Sequence, residues 1–512
     1  MASDEAHGHW DPFGRPLFDD PQARALSRVG VIDIGSNSVR MVVFDGAARS
    51  PAYFFNEKVL CGLGSGMAAT GRLSREGRTR ALRAVRRFAA LGQSMSLPHI
   101  SVVATAAMRE ATDGPEFRAE LERETGLHVH VIDGTEEARL SAQGVLLGWP
   151  ASYGLVCDIG GSSMELAEIH GGQVGRCITS PLGPLKLHQI EDAQERTEKI
   201  RQQMQKLAAH MGTQRDRLFL VGGSWRALAR IDMARRGYPL HVLHEYRMDR
   251  QTVKETIAYL GAHDAEALGK ECGISRLRMS LVPTASEVLS QLCATFEPKD
   301  IAISSYGIRE GLLYEQMPQK LRDLDPLIEA CRFAEAKDAR LPGLGRALYR
   351  FVLPLFPQAP TALLRLIKAA CLMHDVSWRA HPDYRAETCF DAATRANLGG
   401  LKHWERVFLG LALLHRYRNR REGTRFEALY DLMNAEYQAQ AEVLGKAMRL
   451  GAMLWSLADS RSSASLDWKA ESGQLVLRMS PKAAPLFGEV AEARLKSLAG
   501  ALGADHWEMQ LS

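Results

Sequence analysis

Two short apolar runs, each broken by an aspartate and a glycine, set the pattern of the first half of the chain. VGVIDIG at 29–35 reads as a buried strand entering a turn at Gly35, and SNSVRMVVFDG resumes as a strand. That second run ends at Asp45 and Gly46, a pair that favours a hairpin turn. GLVCDIGGSSMELAEIHGG repeats the plan: setting Asp33 on Asp158 aligns Ile34 with Ile159, Gly35 with Gly160 and Ser38 with Ser163 without a gap. Any two hairpins can share a glycine and an aspartate at the bend. Two further identities in the same apolar frame make an internal duplication the simpler reading. Between the copies, LSREGRTRALRAVRRFAALGQ and GPEFRAELERETG have helical periodicity, whereas HISVVATAAM and HVHVIDG read as strands. Strands alternating with helices predict α/β sheets, here two copies facing each other.

From about Pro318 to Arg461 the periodicity is helical throughout, in LRDLDPLIEACRFAEAKDA, GRALYRFVLPLF, TALLRLIKAACLMHDV, HWERVFLGLALLHRYRNR and AEVLGKAMRLGAMLWSLAD. LDWKAESGQLVLRM, a helix from Pro485 to Leu502 and HWEMQL then suggest a small α+β unit. The expected organisation is a flexible extension at 1–28, α/β domains at 29–142 and 143–317, a helical domain at 318–462 and an α+β unit at 463–512.

Composition narrows this picture only slightly. A chain of 512 residues is too long for one growing core. With 46% hydrophobic and 24% charged residues it has ordinary globular usage. The net charge of +4 is too small to argue for nucleic acid or any other polyanion, so local charge must carry that argument. The 8 cysteines are scattered, with no CxxC pair or zinc-site spacing. The first twenty residues lack a signal-peptide pattern and no run of about 18 apolar residues occurs, so a cytoplasmic protein without membrane or nucleic-acid partners is expected.

The chemistry concentrates at the two bends. Gly35, Gly160 and Gly161 let backbone N–H groups approach an anion, and Ser36, Asn37, Ser38, Ser162 and Ser163 add side-chain donors. Two such turns make a phosphate clamp. Asp33 and Asp158 end buried strands, where a carboxylate is costly unless paired or bound to a cation; each could instead simply cap its turn. Magnesium bridging carboxylate and phosphate oxygens meets the first requirement, and Glu165 on the following strand could complete or orient its shell. In GTEEARLSAQGVLLG, Thr135 is placed to cap a helix whose first turn holds Glu136 and Glu137. Such a pair is ordinarily good capping chemistry; beside phosphates, a glutamate there becomes basic enough to take a proton from water.

These residues resemble the exopolyphosphatase and guanosine-pentaphosphate phosphohydrolase family, part of the actin-like phosphotransferase superfamily. DIGSNSVRM, TAAMREA, EEARLSAQGV and DIGGSSMEL occur in the family's order, and the resemblance runs from Val29 to about Met317. It implies two actin-like (RNase H-like) domains with a cleft between them, then an all-α HD-like domain and the α+β unit. It implies Glu137 as the base that activates water, Asp158 and Glu165 near a metal, and phosphate contacts from Ser36, Asn37, Ser38, Arg40, Gly160, Gly161 and Ser163. Arg109 and Arg278 fit two phosphate-binding arginines. The implied cofactor is Mg2+ or Mn2+, with K+ a further candidate, and family members are commonly homodimers. Two departures stand out: the family's loop reads DIGGGST, so Ser162 replaces a glycine and Met164 a threonine. At the Arg278 segment, Thr284 stands where glycine is usual after Pro283.

His374 and Asp375 resemble the central pair of an HD-type metal site, but no histidine lies between Gln319 and Met373, so they are read as remnants or anion contacts. Arg379, His381 and Arg385, and Arg416, Arg418, Arg420 and Arg421, are runs that suit either solvated helix ends or a polyanion track. The resulting expectation is an exopolyphosphatase acting on inorganic polyphosphate. Guanosine pentaphosphate is the alternative substrate. An actin-like sugar kinase, with Gly222 and Gly223 as an adenosine loop, and a non-catalytic polyphosphate-binding protein are remoter alternatives.

Overall fold

The duplication is visible as two sheets of matching order. The structure is a computed structural model that describes residues 28–45, 49–212, 216–454 and 464–511. It divides into a unit spanning Leu26–Leu324 and a second whose described part starts at Asp325.

In the first unit, β1 (Val29–Ile34), β2 (Ser38–Phe44), β3 (Tyr53–Leu60), β4 (Ile100–Ala104) and β5 (Val129–Val131) form a sheet ordered β3-β2-β1-β4-β5. Helices α1 (Arg75–Ser94) and α2 (Gly114–Thr125) cover one face, burying Val85, Phe88, Phe117 and Leu121. Helix α3 (Gly134–Gly148) leads into β6 (Gly154–Ile159), β7 (Met164–His170) and β8 (Gln173–Ser180), followed by α4 (Ala193–Met211), β9 (Arg217–Val221) and α5 (Gly223–Arg235). Next come β10 (Arg247–Met248), α6 (Arg250–Ala262), α7 (Val282–Phe296), β11 (Asp300–Ile303) and α8 (Ile308–Glu315). The second sheet is ordered β10-β11-β9-β6-β7-β8, the first sheet's plan with one strand added at the edge.

The bends match in detail. Gly35 N donates to Ser38 O and Gly160 N to Ser163 O, each at 3.0 Å. Asp33 pairs with Arg40 across the first hairpin, and Asp158 with Glu165 across the second. Helices α3 and α8 cross at glycines: a Cβ on Gly144 would lie 2.2 Å from Gly307 O, and one on Gly311 1.8 Å from Leu140 O. This close approach lets both helices fit in a core shared by the two sheets, with Val31, Val42, Phe219 and Ala302 beside Ala142 and Val145.

Three local expectations need correction. The strand read through HISVVATAAM stops at Ala104, and Ala106–Glu110 turns into a helix. Alanine and methionine there lack the branching that favours strand. Helix α3 is capped by Asp133, whose carboxylate accepts from Glu136 N at 2.8 Å, while Thr135 donates to Asp133 instead of capping. The C-terminal helix starts at Glu489, after a 3-10 turn at Ala484–Leu486. The turn expected at Asp45 and Gly46 lies partly outside the described residues; Asp45 itself accepts from Ala52 N.

The second unit holds α9 (Pro326–Asp338), α10 (Leu344–Val352), α11 (Thr361–Met373), α12 (Arg385–Arg395), α13 (His403–Tyr417) and α14 (Ala435–Gly451). Its end is a sheet of β12 (Ala464–Lys469), β13 (Gln474–Met479) and β14 (His506–Leu511), with α15 (Glu489–Leu502) before the last strand. Members of the basic runs differ in their surroundings. Arg416 turns inward, Arg421 donates to Gln438 and Arg385 to Ala380 O, while Arg420 is exposed. On α1, Arg78, Arg80, Arg86 and Arg87 each pair with glutamates. Among the described residues no helix is long and apolar enough to cross a membrane.

Candidate active site

Both bends open onto one cavity of about 210 Å3, far more than the roughly 10–15 Å3 that one water needs. Gly35, Ser36, Asn37 and Ser38 line it from the first bend, and Gly160, Gly161, Ser162 and Ser163 from the second. Ser36 Oγ and Ser162 Oγ are 3.1 Å apart, so the serine that replaces a glycine joins one bend to the other. Met164 is buried where β7 begins. Both departures from the usual loop are thus accommodated by packing or a hydrogen bond.

Glu137 reaches the cavity because of helical spacing. Gly134, Glu137 and Ser141 stand three and four residues apart and share one face of α3. Beneath that face runs a row across the second sheet, Asp158, Glu165 and Thr179, which are register partners on β6, β7 and β8. Ser141 Oγ donates to Asp158 Oδ2, and Thr179 Oγ1 donates to Glu165 Oε1 at 3.0 Å. A Cβ on Gly134 would sit 2.5 Å from Thr179, so glycine is what lets the first turn lie so low on the sheet.

This geometry crowds carboxylates into a poorly solvated region. Burial first, then the charge of Asp158, raises Glu137 well above the usual carboxylate range; Arg109, with Nη1 3.3 Å from Glu137 Oε2, offsets part of this. Burial also raises Asp33 and Asp158, and Glu165 rises further through burial and the charges of Glu137 and Asp158. Such a group stays ionised only if cations come close.

Sequence reasoning missed three of the cations that do. Besides Arg40 and Arg278, the cavity is lined by Lys58 from β3, Arg226 from the first turn of α5 and Arg309 from the first turn of α8. Arg309 acts electrostatically on both Asp33 and Asp158, and Arg226 on Asp158. Both arginines follow a strand and a glycine, Gly222–Gly223 or Gly307, and that recurrence is the signal that could have found them. Arg278 lies against Gly223 so closely that a Cβ there would be 2.0 Å from its Nη1.

Two expected contacts do not line the cavity. Arg109 is held by Ile132 O at 2.8 Å and by Glu137. Glu165 is 1% exposed, and its Oε2 has no hydrogen-bond partner among the described residues. Asp33 and Asp158 do face the open volume. Two carboxylates beside hydroxyls and space for water and phosphate fit Mg2+, which is usually bound through one or two carboxylates and not by an all-protein cage. Among the described residues no three His, Cys, Asp or Glu side chains converge as such a cage.

The arrangement suits a phosphate group held between two donor-rich bends, with a basic carboxylate at hand. Comparison with known proteins agrees. A sequence model described as the Ppx/GppA phosphatase family matches residues 42–320, and one described as the C-terminal domain of exopolyphosphatase matches 359–506. Among solved structures, a Ppx/GppA family member from Aquifex aeolicus is 24% identical, with a TM-score of 0.50 over 57% of this chain and 97% of its own. An exopolyphosphatase from Cytophaga hutchinsonii is 22% identical, with a TM-score of 0.51 over 56% and 97%. At such identities these likenesses show the fold, which is actin-like. The match over more than half of the chain shows more: this protein belongs to the Ppx/GppA phosphatase family.

Proposed function

We propose that this protein is an exopolyphosphatase, which releases orthophosphate from the end of inorganic polyphosphate. The observation that carries the reading is the single cavity in which Glu137 meets two glycine-serine bends and five cationic side chains. In this reading the terminal phosphate lies between the bends, its oxygens facing backbone N–H groups and the hydroxyls of Ser36, Ser38, Ser162 and Ser163. Glu137 takes a proton from a water that attacks the terminal phosphorus. The bond from that phosphorus to the bridging oxygen breaks, and the shortened chain leaves. Arg226 and Arg309 face the charge that spreads over the transferred group's oxygens. Asp33 and Asp158 would hold Mg2+ or Mn2+, which when bound neutralises phosphate charge.

Two observations favour polyphosphate. Arg40, Lys58 and Arg278 supply more positive charge than one phosphate needs, and the C-terminal match is to an exopolyphosphatase domain. The guanidinium against Gly223 leaves that turn facing cationic chemistry, which disfavours an adenosine loop of a sugar kinase. Side-by-side initial rates on long-chain polyphosphate, tripolyphosphate and guanosine pentaphosphate test the choice. Preference for guanosine pentaphosphate over long chains would replace this substrate assignment.

Lys58 gives that reading a pH dependence. Partial burial, then the charges of Arg278 and Arg40, push its ammonium down to about 8. Because its pKa is lowered, the cation is present below pH 8 and lost above it. Glu137, raised to about 8, gains its basic form over the same range in wild type and in Lys58→Arg alike, so the Lys58 effect is read as the ratio of the two. The ratio of wild-type to Lys58→Arg polyphosphate kcat/KM should fall by about threefold to tenfold between pH 7 and 9, as one charge-assisted contact disappears from the wild type alone. A ratio that does not change with pH would remove Lys58 from substrate binding.

A further inference from the structure

The helical unit contains cations that the cleft chemistry does not use. Arg416 lies in the last turn of α13, Arg449 in the last turn of α14, and Arg494 is on α15, which packs on α14. Arg416 Nε, Arg449 Nη1 and Arg494 Nε are buried and have no hydrogen-bond acceptor among the described residues. Helix α14 packs against both α13 and α15, and Gly445, one turn before Arg449, lies so close to α13 that a Cβ there would be 2.4 Å from His415 Cβ, next to Arg416. The charges of Arg494 and Arg416 accordingly act on Arg449, which burial first and then these charges lower to about 10.

The carboxylate near this cluster is already engaged. Asp375 accepts from Arg340 Nε at 2.9 Å, Arg340 Nη2 at 2.6 Å, the Arg340 backbone N at 3.1 Å and Tyr417 OH at 3.3 Å. Arg416 lies 4.7 Å from the centre of the Tyr417 ring, which helps fix its direction. His374 next to Asp375 is bonded through Nδ1 to Cys371 O at 2.8 Å, and burial holds its pKa down at about 4, so it is neutral near pH 7. The pair that resembles an HD-type centre is therefore occupied by protein partners, with surplus positive charge beside it. Buried guanidinium N–H groups without acceptors are expensive, and adjacent ones also repel. An oxyanion supplies acceptors and opposite charge together, and the guanidinium fork matches phosphate oxygens.

We propose that Arg416, Arg449 and Arg494 form a second anion site, in the helical unit, that takes a phosphate group. Its occupant is either orthophosphate or one phosphate of a longer chain, which offer the same oxygens to the same forks. The site is independent of which substrate the cleft hydrolyses.

Calorimetric titration of the full chain, carrying Glu137→Gln to suppress turnover, tests this with inorganic phosphate and with tripolyphosphate as separate probes. Two classes of site are expected. Arg449→Gln should weaken one class by about tenfold or more and spare the other, whereas Arg309→Gln should do the reverse. In the otherwise native chain, Arg449→Gln should leave kcat on tripolyphosphate unchanged, which also reports that the variant folds. If that variant does not fold, Arg494→Gln takes its place with the same expectation. Tighter binding of orthophosphate at this site identifies a product site, and tighter binding of tripolyphosphate identifies a hold on the chain. Titrations that Arg416→Gln, Arg449→Gln and Arg494→Gln all leave unchanged would overturn the proposal.

Discussion

Glu137→Gln should lower kcat by about 10²- to 10⁴-fold while leaving KM nearly unchanged. The residue is only 5% exposed, and glutamine has the same shape, so α3 keeps its place on the sheet. The amide oxygen can still accept from Arg109, which now bonds Glu137 Oε2 at 3.3 Å. What is lost is the ability to take a proton from water. Burial and Asp158 hold Glu137 above the usual carboxylate range, which makes it a stronger base than a solvated glutamate once ionised. Loss of that base lowers the rate of the chemical step and not the affinity for phosphate, so steady-state kinetics separate the two. A variant that turns over normally, or whose defect lies only in KM, removes Glu137 from proton transfer.

Chelation of divalent metal should abolish turnover, and Asp158→Asn should raise the metal concentration needed for half-maximal rate by about 10- to 100-fold. Asp158 combines the features that make this effect large. It lines the cavity, burial raises its pKa, and Ser141 orients one of its oxygens. A bound cation would relieve the cost of keeping Asp33 and Asp158 ionised together, whereas asparagine removes one of the two charges that attract it. Metal titrations of wild type and variant read this directly. Full activity of the wild type in excess chelator contradicts it.

The first unit was legible because its chemistry follows a repeated local pattern. The offset that sets Asp33 on Asp158 also sets Gly35 on Gly160, and the matching Gly35–Ser38 and Gly160–Ser163 hydrogen bonds follow from the same bend. Glu137 was readable as a first-turn glutamate, but its position above Glu165 depends on β7 and β8 register and on Gly134 clearing Thr179. Arg226 and Arg309 were missed because each lies far along the chain from the bends and enters the cavity only when the second sheet is assembled. The surroundings of the basic run at 416–421 were not legible for a related reason. Periodicity places residues around a helix without stating which neighbour they meet, and the run splits at the end of α13, with Arg416 inside and Arg420 outside. The cluster of Arg416, Arg449 and Arg494 joins three separate helices and has no linear motif.

The central claim is that water, activated at Glu137, attacks the terminal phosphorus of a phosphate chain. Turnover of polyphosphate in oxygen-18 water, followed by mass spectrometry of the products, tests it most directly. The account predicts one labelled oxygen in each orthophosphate released and none in the shortened chain. Label in the remaining chain, or phosphoryl groups passed to an added sugar or nucleotide without orthophosphate release, would contradict it.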